Sequence, residues 1–303
     1  MNDRATRRWA ACLVAALTCA AALAAEKPEL PKPASRTTRQ IEGWTVRIDD
    51  RLLAPPHDTL GVRALKLLEA KLADITYVVA KERLEQLQAV DIVLDLTHGE
   101  LHAMQYHPNA GWLEAHGYAR DLEKCVHIPE AADLPTRRSI HEQPWVVLHE
   151  LAHAYHDQVL GFDEPRIREA YERFKAGGHG DAALLYNGQR VRHYGLTDHK
   201  EFFAEMTESY FGMDDFFPFN RAELMTAEPE IHELMRAIWE SGQPADAGTT
   251  TASAAMTRSA AAQPTARDSG KPDHVLGGGS PRSERPRGAH SLRDPVLVNP
   301  PSS

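Results

Sequence analysis

The sequence predicts a single α+β domain with a small mixed sheet. Short apolar runs of strand length, such as residues 44–49 and 91–96, indicate strands. Longer segments with apolar residues near helical spacing, such as residues 59–79 and 145–160, indicate helices. Both kinds of element lie within residues 41–241, which is enough chain for one domain.

The two ends of the chain differ in composition from this central part. Residues 1–25 contain three arginines, then an apolar run and an Ala-rich cleavage site, which is the pattern of a signal peptide. We therefore predict export, to the periplasm or the medium. Residues 26–40 are polar and Pro-rich, which predicts a linker. Residues 242–303 have almost no large apolar side chains, so we predict a disordered low-complexity tail.

Composition argues against several classes of protein. The net charge is −9 and the central part has no dense stripe of Lys and Arg, so we expect no nucleic-acid partner. The apolar run near the start is too short for a convincing membrane span, so we expect no stable membrane insertion. Cys125 is the only cysteine beyond residues 1–25, which leaves no intramolecular disulfide. We expect a monomer that depends on its core.

The first half of the domain follows from its periodicity. Residues 44–49 alternate in polarity and predict a strand, and the apolar positions of residues 59–79 predict a long helix. A short helix is predicted for residues 81–88, and a buried strand for residues 91–96. The run Cys125–Ile128 predicts another strand. Residues 124–128 then either line a cleft and pair with an extended substrate, or form an ordinary internal strand.

Residues 98–118 are rich in His and aromatic side chains and lack clear periodicity. We interpret this stretch as a loop that packs on a cleft. Its histidines could instead form a second metal site, but their spacings match no known ligand pattern. These histidines are His98, His102, His107 and His116.

The second half carries clear start and stop signals. Asp163-Glu164-Pro165 predicts the start of a helix that runs to about Lys175. Asn187-Gly188 indicates a tight hairpin. Asp198 is a capping residue for a helix that runs to Phe211.

The central motif is His149-Glu150-Leu151-Ala152-His153, inside the apolar segment of residues 145–160. Residues four apart on a helix share a face, so His149 and His153 can offer two imidazoles to one metal ion. Glu150 then lies beside the metal, where it can take a proton from a metal-activated water. This H-E-x-x-H arrangement is typical of zinc hydrolases.

A catalytic zinc needs a third protein ligand, and the residues alone leave the choice open. His156 shares the helical face, but three successive imidazoles on one straight helix cannot easily reach one ion. We therefore interpret His156 as a surface residue or as one that contacts a ligand without binding the metal. Asp198 is a weaker candidate because its position suits capping. The helix that follows offers three carboxylates at helical spacing in a Phe-rich setting, Glu201, Glu205 and Glu208.

The two motifs together carry a resemblance. HELAHAYHD, followed by Tyr194 and then by Glu201-Phe-Phe-Ala-Glu205, resembles the catalytic domain of anthrax lethal factor and the related Pro-Pro endopeptidases. The resemblance covers about residues 149–211. It implies a zincin-like metallopeptidase fold, with helices that carry the zinc ligands.

The same resemblance implies roles for particular residues. His149, His153 and Glu201 would bind one Zn²⁺ per chain, and Glu150 would act as general base. Tyr194 would stabilise the oxyanion, and Glu205 would orient a metal-binding histidine without binding the metal itself. Helix geometry also allows Glu205 to reach such a histidine, because it lies one turn after Glu201. The phenol of Tyr194 can donate a hydrogen bond to an oxygen on which negative charge develops.

We therefore expect an exported zinc-dependent endopeptidase that acts on a peptide or protein substrate. Two alternatives stay open. One is a non-catalytic exported zinc-binding protein, in which a closed set of four ligands stabilises the fold. The other is a zinc hydrolase of a non-peptide amide.

Overall fold

The computed structural model describes residues 30–240 of the 303-residue chain. The predicted signal peptide, residues 1–25, and the predicted tail, residues 242–303, lie outside the described residues and stay predictions. Between residues 30 and 240 the chain is a mixture of helices and a small sheet, in agreement with the predicted α+β class. None of the described helices is both long enough and apolar enough to cross a membrane.

The helices and strands of the described part have the following bounds. The helices are α1 (Asp58–Val78), α2 (Lys81–Gln88), α3 (Ala110–Ala115), α4 (Val146–Tyr155), α5 (Pro165–Gly177), α6 (His199–Phe211), α7 (Arg221–Ala227) and α8 (Pro229–Trp239). The strands are β1 (Arg36–Ile41), β2 (Trp44–Asp49), β3 (Ile92–Leu94), β4 (Gln105–Tyr106), β5 (Val126–Ile128), β6 (Ala183–Leu184) and β7 (Arg190–Val191). The predicted bounds of β2, α1, α2 and α6 agree with these to within about one residue.

Five strands form the main sheet in the order β1-β2-β3-β5-β4. The pairs β2–β3 and β3–β5 are parallel, whereas β1 and β4 run antiparallel at the two edges. The cleft-edge interpretation of residues 124–128 was therefore wrong, because β5 is an internal strand. The edge strand next to β5 is β4, which lies in the stretch for which the sequence predicts a loop. Its two residues are too few to show a periodic pattern.

The domain also begins earlier than its predicted boundary at residue 41. β1 pairs with β2 along its whole length, from Arg36 opposite Asp49 to Ile41 opposite Trp44. The prediction of a linker over residues 26–40 is therefore wrong for residues 36–40, which belong to β1. β1 is mostly exposed and polar, so backbone hydrogen bonds rather than an apolar face hold it in place.

The main sheet has a different partner on each face. Ile92 and Leu94 of β3 belong to the main core, together with apolar residues of α1 and α4. Val93, between them, packs with apolar side chains from residues 101–125. His127 of β5 is paired with Val93, so the buried imidazole lies on the same side of the sheet.

Helix α6 is placed by the hairpin and turn that precede it. Strands β6 and β7 pair across Gly188, and a short 3-10 turn, Tyr194–Leu196, leads to α6. The Asp198 carboxylate accepts hydrogen bonds from the backbone N–H groups of Lys200 and Glu201, at 2.8 and 3.0 Å. This cap fixes the first turn of α6, where Glu201 lies.

Helices α7 and α8 were not predicted, yet α8 helps to hold the centre of the domain. Trp239 of α8 is fully buried and contacts the rings of Tyr155 on α4 and Phe203 on α6. Because α4 and α6 both pack on this one indole, their relative position is fixed at the end of α4 that follows His153.

Candidate metal centre

Helix α4 carries the H-E-x-x-H motif inside the core. All of its residues from Val147 to Ala152 are buried, as is Tyr155 at its end. The helix continues into a π-helical turn, His156–Leu160, and ends at Gly161. Gly161 has a φ of 81°, a positive value that glycine adopts readily and other residues rarely do. The helix predicted for residues 145–160 is therefore confirmed. Helix α6 packs along α4 and brings a second set of polar side chains into the same interior.

The three predicted ligands converge on one point. His149 Nε2 lies 3.2 Å from Glu201 Oε2, and His153 Nε2 lies 3.4 Å from the same oxygen. Ligand atoms at about 2.0–2.1 Å from a tetrahedral zinc are roughly 3.3 Å from one another. The observed separations therefore suit three ligands of one ion, although the shorter one also falls within the range of a hydrogen bond.

The charges of this cluster also fit a cation. Burial by itself raises the pKa of Glu201, but His153 and the hydrogen bond with His149 outweigh it, and the pKa lies below its ordinary value. Burial lowers the pKa of His149, but hydrogen bonds with Glu201 and Glu208 raise it well above the ordinary value. The cluster thus favours an ionised carboxylate beside positive charge. A divalent cation would supply that charge, and two imidazoles with one carboxylate form a donor set that zinc accepts.

The second nitrogen of His149 shows which carboxylate supports the cluster. His149 Nδ1 lies 2.7 Å from Glu208 Oε1, whereas its distance to Glu205 Oε1 is 3.4 Å. Glu205 is fully buried and close to the ligand, as expected, but the shorter hydrogen bond goes to Glu208. The sequence offers Glu208 as one of three carboxylates on α6 but predicts no role for it. Its signal was the seven-residue spacing from Glu201, which places both on one face of the helix.

Glu150 points toward the sheet. Its Oε2 accepts a hydrogen bond of 2.8 Å from the backbone N–H of Tyr106, in edge strand β4. Burial raises the pKa of Glu150 above its ordinary value, although His149 and His153 act in the opposite direction. A buried carboxylate with a raised pKa is suited to take up a proton and to release it again.

Tyr194 lies in the 3-10 turn directly before α6. The turn is capped by His193, whose Nδ1 accepts a hydrogen bond of 3.0 Å from Gly195 N–H. Gly195 approaches α6 closely, because a Cβ atom there would lie 3.3 Å from Phe202 Cα. The structure therefore holds Tyr194 beside the first turns of α6. The role of its hydroxyl stays a prediction.

The other histidines considered as ligands lie apart from this centre. His156 is fully buried among aromatic rings, including Phe162 and Phe203, and not on the surface. His102 pairs with Glu130, and His116 bonds the Trp112 carbonyl. Among residues 30–240, the group that contains both motif histidines has Glu201 as its only other member.

A second group of possible ligands occurs at the sheet. Asp95 Oδ2 lies 2.7 Å from His98 Nδ1 and 2.9 Å from His127 Nε2. The guanidinium of Arg36 also donates to both oxygens of Asp95, at 2.8 Å each. His107 Nε2 contacts His127 Nδ1 at 3.2 Å. Of the four histidines considered for a second metal site, only His98 and His107 belong to this group.

Comparisons with known proteins assign no family to this chain. No family model, curated protein or solved structure matches it.

Proposed function

We propose that this protein is an exported zinc-dependent endopeptidase with a zincin-like fold. The observation that carries the proposal is the convergence of His149, His153 and Glu201 on one point, close enough to Glu150 for their charges to act on its carboxyl group. The resemblance to lethal factor and the Pro-Pro endopeptidases, noted from the sequence, supports the same ligand set. These three residues would hold one Zn²⁺ per chain.

The chain's own groups suit the hydrolysis of a peptide bond. Zinc, when bound, supplies a Lewis acid that lowers the pKa of a water molecule and polarises a carbonyl. Glu150 takes the proton of the attacking water on its carboxylate and passes it to the leaving nitrogen. The Tyr194 hydroxyl donates a hydrogen bond to the oxygen on which negative charge develops. Glu208 holds the imidazole of His149 in place through Nδ1.

A peptide or protein is the substrate class that the resemblance to lethal factor and the Pro-Pro endopeptidases implies. The outward-facing N–H of Tyr106 in edge strand β4 is bonded to Glu150, so this edge gives no separate support for binding of an extended peptide. A zinc site that only stabilises a fold usually has four protein ligands. The cluster at residues 149, 153 and 201 has three in the described part of the chain, which favours the catalytic function over the structural alternative.

The test combines zinc content with a peptide-library assay on the full chain. We expect one zinc per wild-type chain and hydrolysis that is lost on chelation. Glu150→Gln should keep the zinc but lower turnover by about 10²- to 10⁴-fold, because the carboxylate that moves the proton is gone. His102→Ala, at an exposed histidine paired with Glu130, is the control and should change neither property.

Three results would contradict parts of the proposal. Absence of zinc from the wild-type protein would rule out the proposed metal centre. Normal hydrolysis by Glu150→Gln would rule out Glu150 as the general base. Zinc with no cleavage of any library peptide would favour the non-catalytic protein or the hydrolase of a non-peptide amide, which a screen of amide substrates would separate.

A further inference from the structure

Edge strand β4 is fastened to α4 through both the backbone and the side chain of Tyr106. The Tyr106 N–H donates to Glu150 Oε2, and the Tyr106 hydroxyl donates to Asp157 Oδ2 at 2.6 Å. Asp157 also forms an ion pair with Lys124 Nζ. We refer to Tyr106, Asp157 and Lys124 as the clamp. It joins β4, the chain just before β5, and the π-helical turn after α4.

The geometry of α4 explains why one tyrosine can reach both carboxylates. Glu150 and Asp157 are seven residues apart on a continuous helical segment, so both face the same strand. Tyr106 is 7% exposed, and the Asp157 side chain is 15% exposed. The phenol–carboxylate bond is therefore largely shielded from water, where a charge-assisted hydrogen bond is stronger than at the surface.

Strand β4 needs such support because it is very short. It has two residues, and only one of its sides pairs with another strand, β5. Successive N–H groups along a strand point to opposite sides. His107 N–H points inward to the Cys125 carbonyl, so Tyr106 N–H points outward, to Glu150. A small shift of β4 would therefore move the group that holds the Glu150 carboxylate.

We propose that Asp157 and Lys124 are positioning residues for the reaction. They hold the Tyr106 phenol, and through it the Tyr106 N–H that keeps the Glu150 carboxylate in its place. The inference rests on the proposed function, because it assigns the clamp a role in the turnover of that site.

The test compares Asp157→Asn and Tyr106→Phe with wild type, using a library peptide that the wild type cleaves. Each variant removes the charge or the hydroxyl of the clamp with little change in shape. We expect kcat to fall by about 10- to 100-fold, because small displacements of a reacting group have effects of that size. KM and zinc content should stay within about twofold, since substrate contacts and ligands are unchanged. The double variant should lose little more than either single variant.

Tyr210→Phe is the matched control. The Tyr210 hydroxyl donates to Glu240 Oε1 at 2.7 Å, and Arg221 contacts both groups, so this triple repeats the chemistry of the clamp away from Glu150. The control should lower thermal stability by no more than the clamp variants do, since Glu240 and Arg221 are more exposed than Asp157, and it should leave kcat unchanged. Equal losses of kcat in Tyr210→Phe and Asp157→Asn would overturn the proposal, as would unchanged kcat in both clamp variants.

A second measurement keeps the clamp separate from the proposed function. Hydrogen exchange of the Tyr106 amide should become about tenfold faster in Asp157→Asn and not in Tyr210→Phe. If the wild type binds zinc but cleaves no peptide, the proposed function fails, and this exchange decides whether the clamp holds β4. An amide that stays equally protected in Asp157→Asn would show that it does not.

Discussion

Two buried clusters in this protein have the same composition and different geometry. Each contains two imidazoles and one carboxylate: His149, His153 and Glu201 between α4 and α6, and Asp95, His98 and His127 at the sheet. In the first, the carboxylate oxygen lies 3.2 and 3.4 Å from the imidazole nitrogens. In the second, the corresponding distances are 2.9 and 2.7 Å, which are ordinary hydrogen bonds.

The charges around the two carboxylates differ as well. Arg36 binds both oxygens of Asp95 and neutralises it. Within the described residues, no guanidinium pairs with Glu201, whose ion pairs are with the two motif histidines. A guanidinium would repel a metal ion, so we interpret the sheet cluster as a hydrogen-bonded network. Burial of His and carboxylate side chains therefore does not by itself indicate a metal site. The distances between the ligand atoms, and the presence or absence of a neighbouring cation such as Arg36, distinguish the two clusters.

The largest expected difference between the clusters is in zinc binding. Glu201→Ala removes one of three proposed ligands and should weaken zinc affinity by more than the 10- to 100-fold typical of outer-shell changes. Asp95→Ala should leave the zinc affinity of the folded protein unchanged. Titration with a competing chelator measures both. Zinc that is lost equally from both variants, at a temperature where both are folded, would show that the clusters are not distinct.

The second difference is in stability. Asp95→Ala should destabilise the fold by about 3–5 kcal/mol, because Arg36 and two imidazoles lose their buried partner. In the presence of chelator, Glu201→Ala should have a smaller effect, since two imidazoles but no guanidinium lose their partner. Denaturant unfolding of both variants gives the comparison. A loss below about 1 kcal/mol in Asp95→Ala would mean that the sheet network contributes little.

The sequence predicts the cluster of His149, His153 and Glu201 better than the sheet network, for a physical reason. His149, Glu150 and His153 lie on one helix, where spacing fixes their relative positions. The cap at Asp198 likewise places Glu201 in the first turn of α6.

The sheet network has no such local signal. Asp95 and His98 are close in sequence, but Arg36 and His127 are far from them and meet them only because β1 pairs with β2 and because β3 and β5 are parallel neighbours. Packing of α4 against α6 also decides between Glu205 and Glu208, which helical spacing alone cannot do.

Lowering the pH should reduce the stability of the fold through the buried histidines of the sheet network. Burial lowers the pKa of His127 to about 4 and that of His107 to about 3. Below the ordinary His pKa of about 6.5, the unfolded chain therefore binds protons that the folded chain does not. Stability should fall as the pH drops from about 6.5 to 4, by up to roughly 3 kcal/mol for His127.

The measurement is the pH dependence of the unfolding free energy with chelator present, in wild type and in His127→Gln. The variant should be less stable at pH 7, since Asp95 loses a partner, but its stability should depend less on pH between 6.5 and 4. An identical pH slope in the two proteins would show that His127 does not titrate in this range.

The smallest expected effect concerns the two carboxylates behind His149. Glu208→Gln should weaken zinc affinity by about 10- to 100-fold, because the imidazole loses its charged acceptor at 2.7 Å. Glu205→Gln, at 3.4 Å, should weaken it less. Both substitutions keep the shape of the side chain and lie on the same helix, so each is the control for the other. Chelator titration of the two variants ranks them, and a larger loss in Glu205→Gln would assign the orienting hydrogen bond to Glu205 instead.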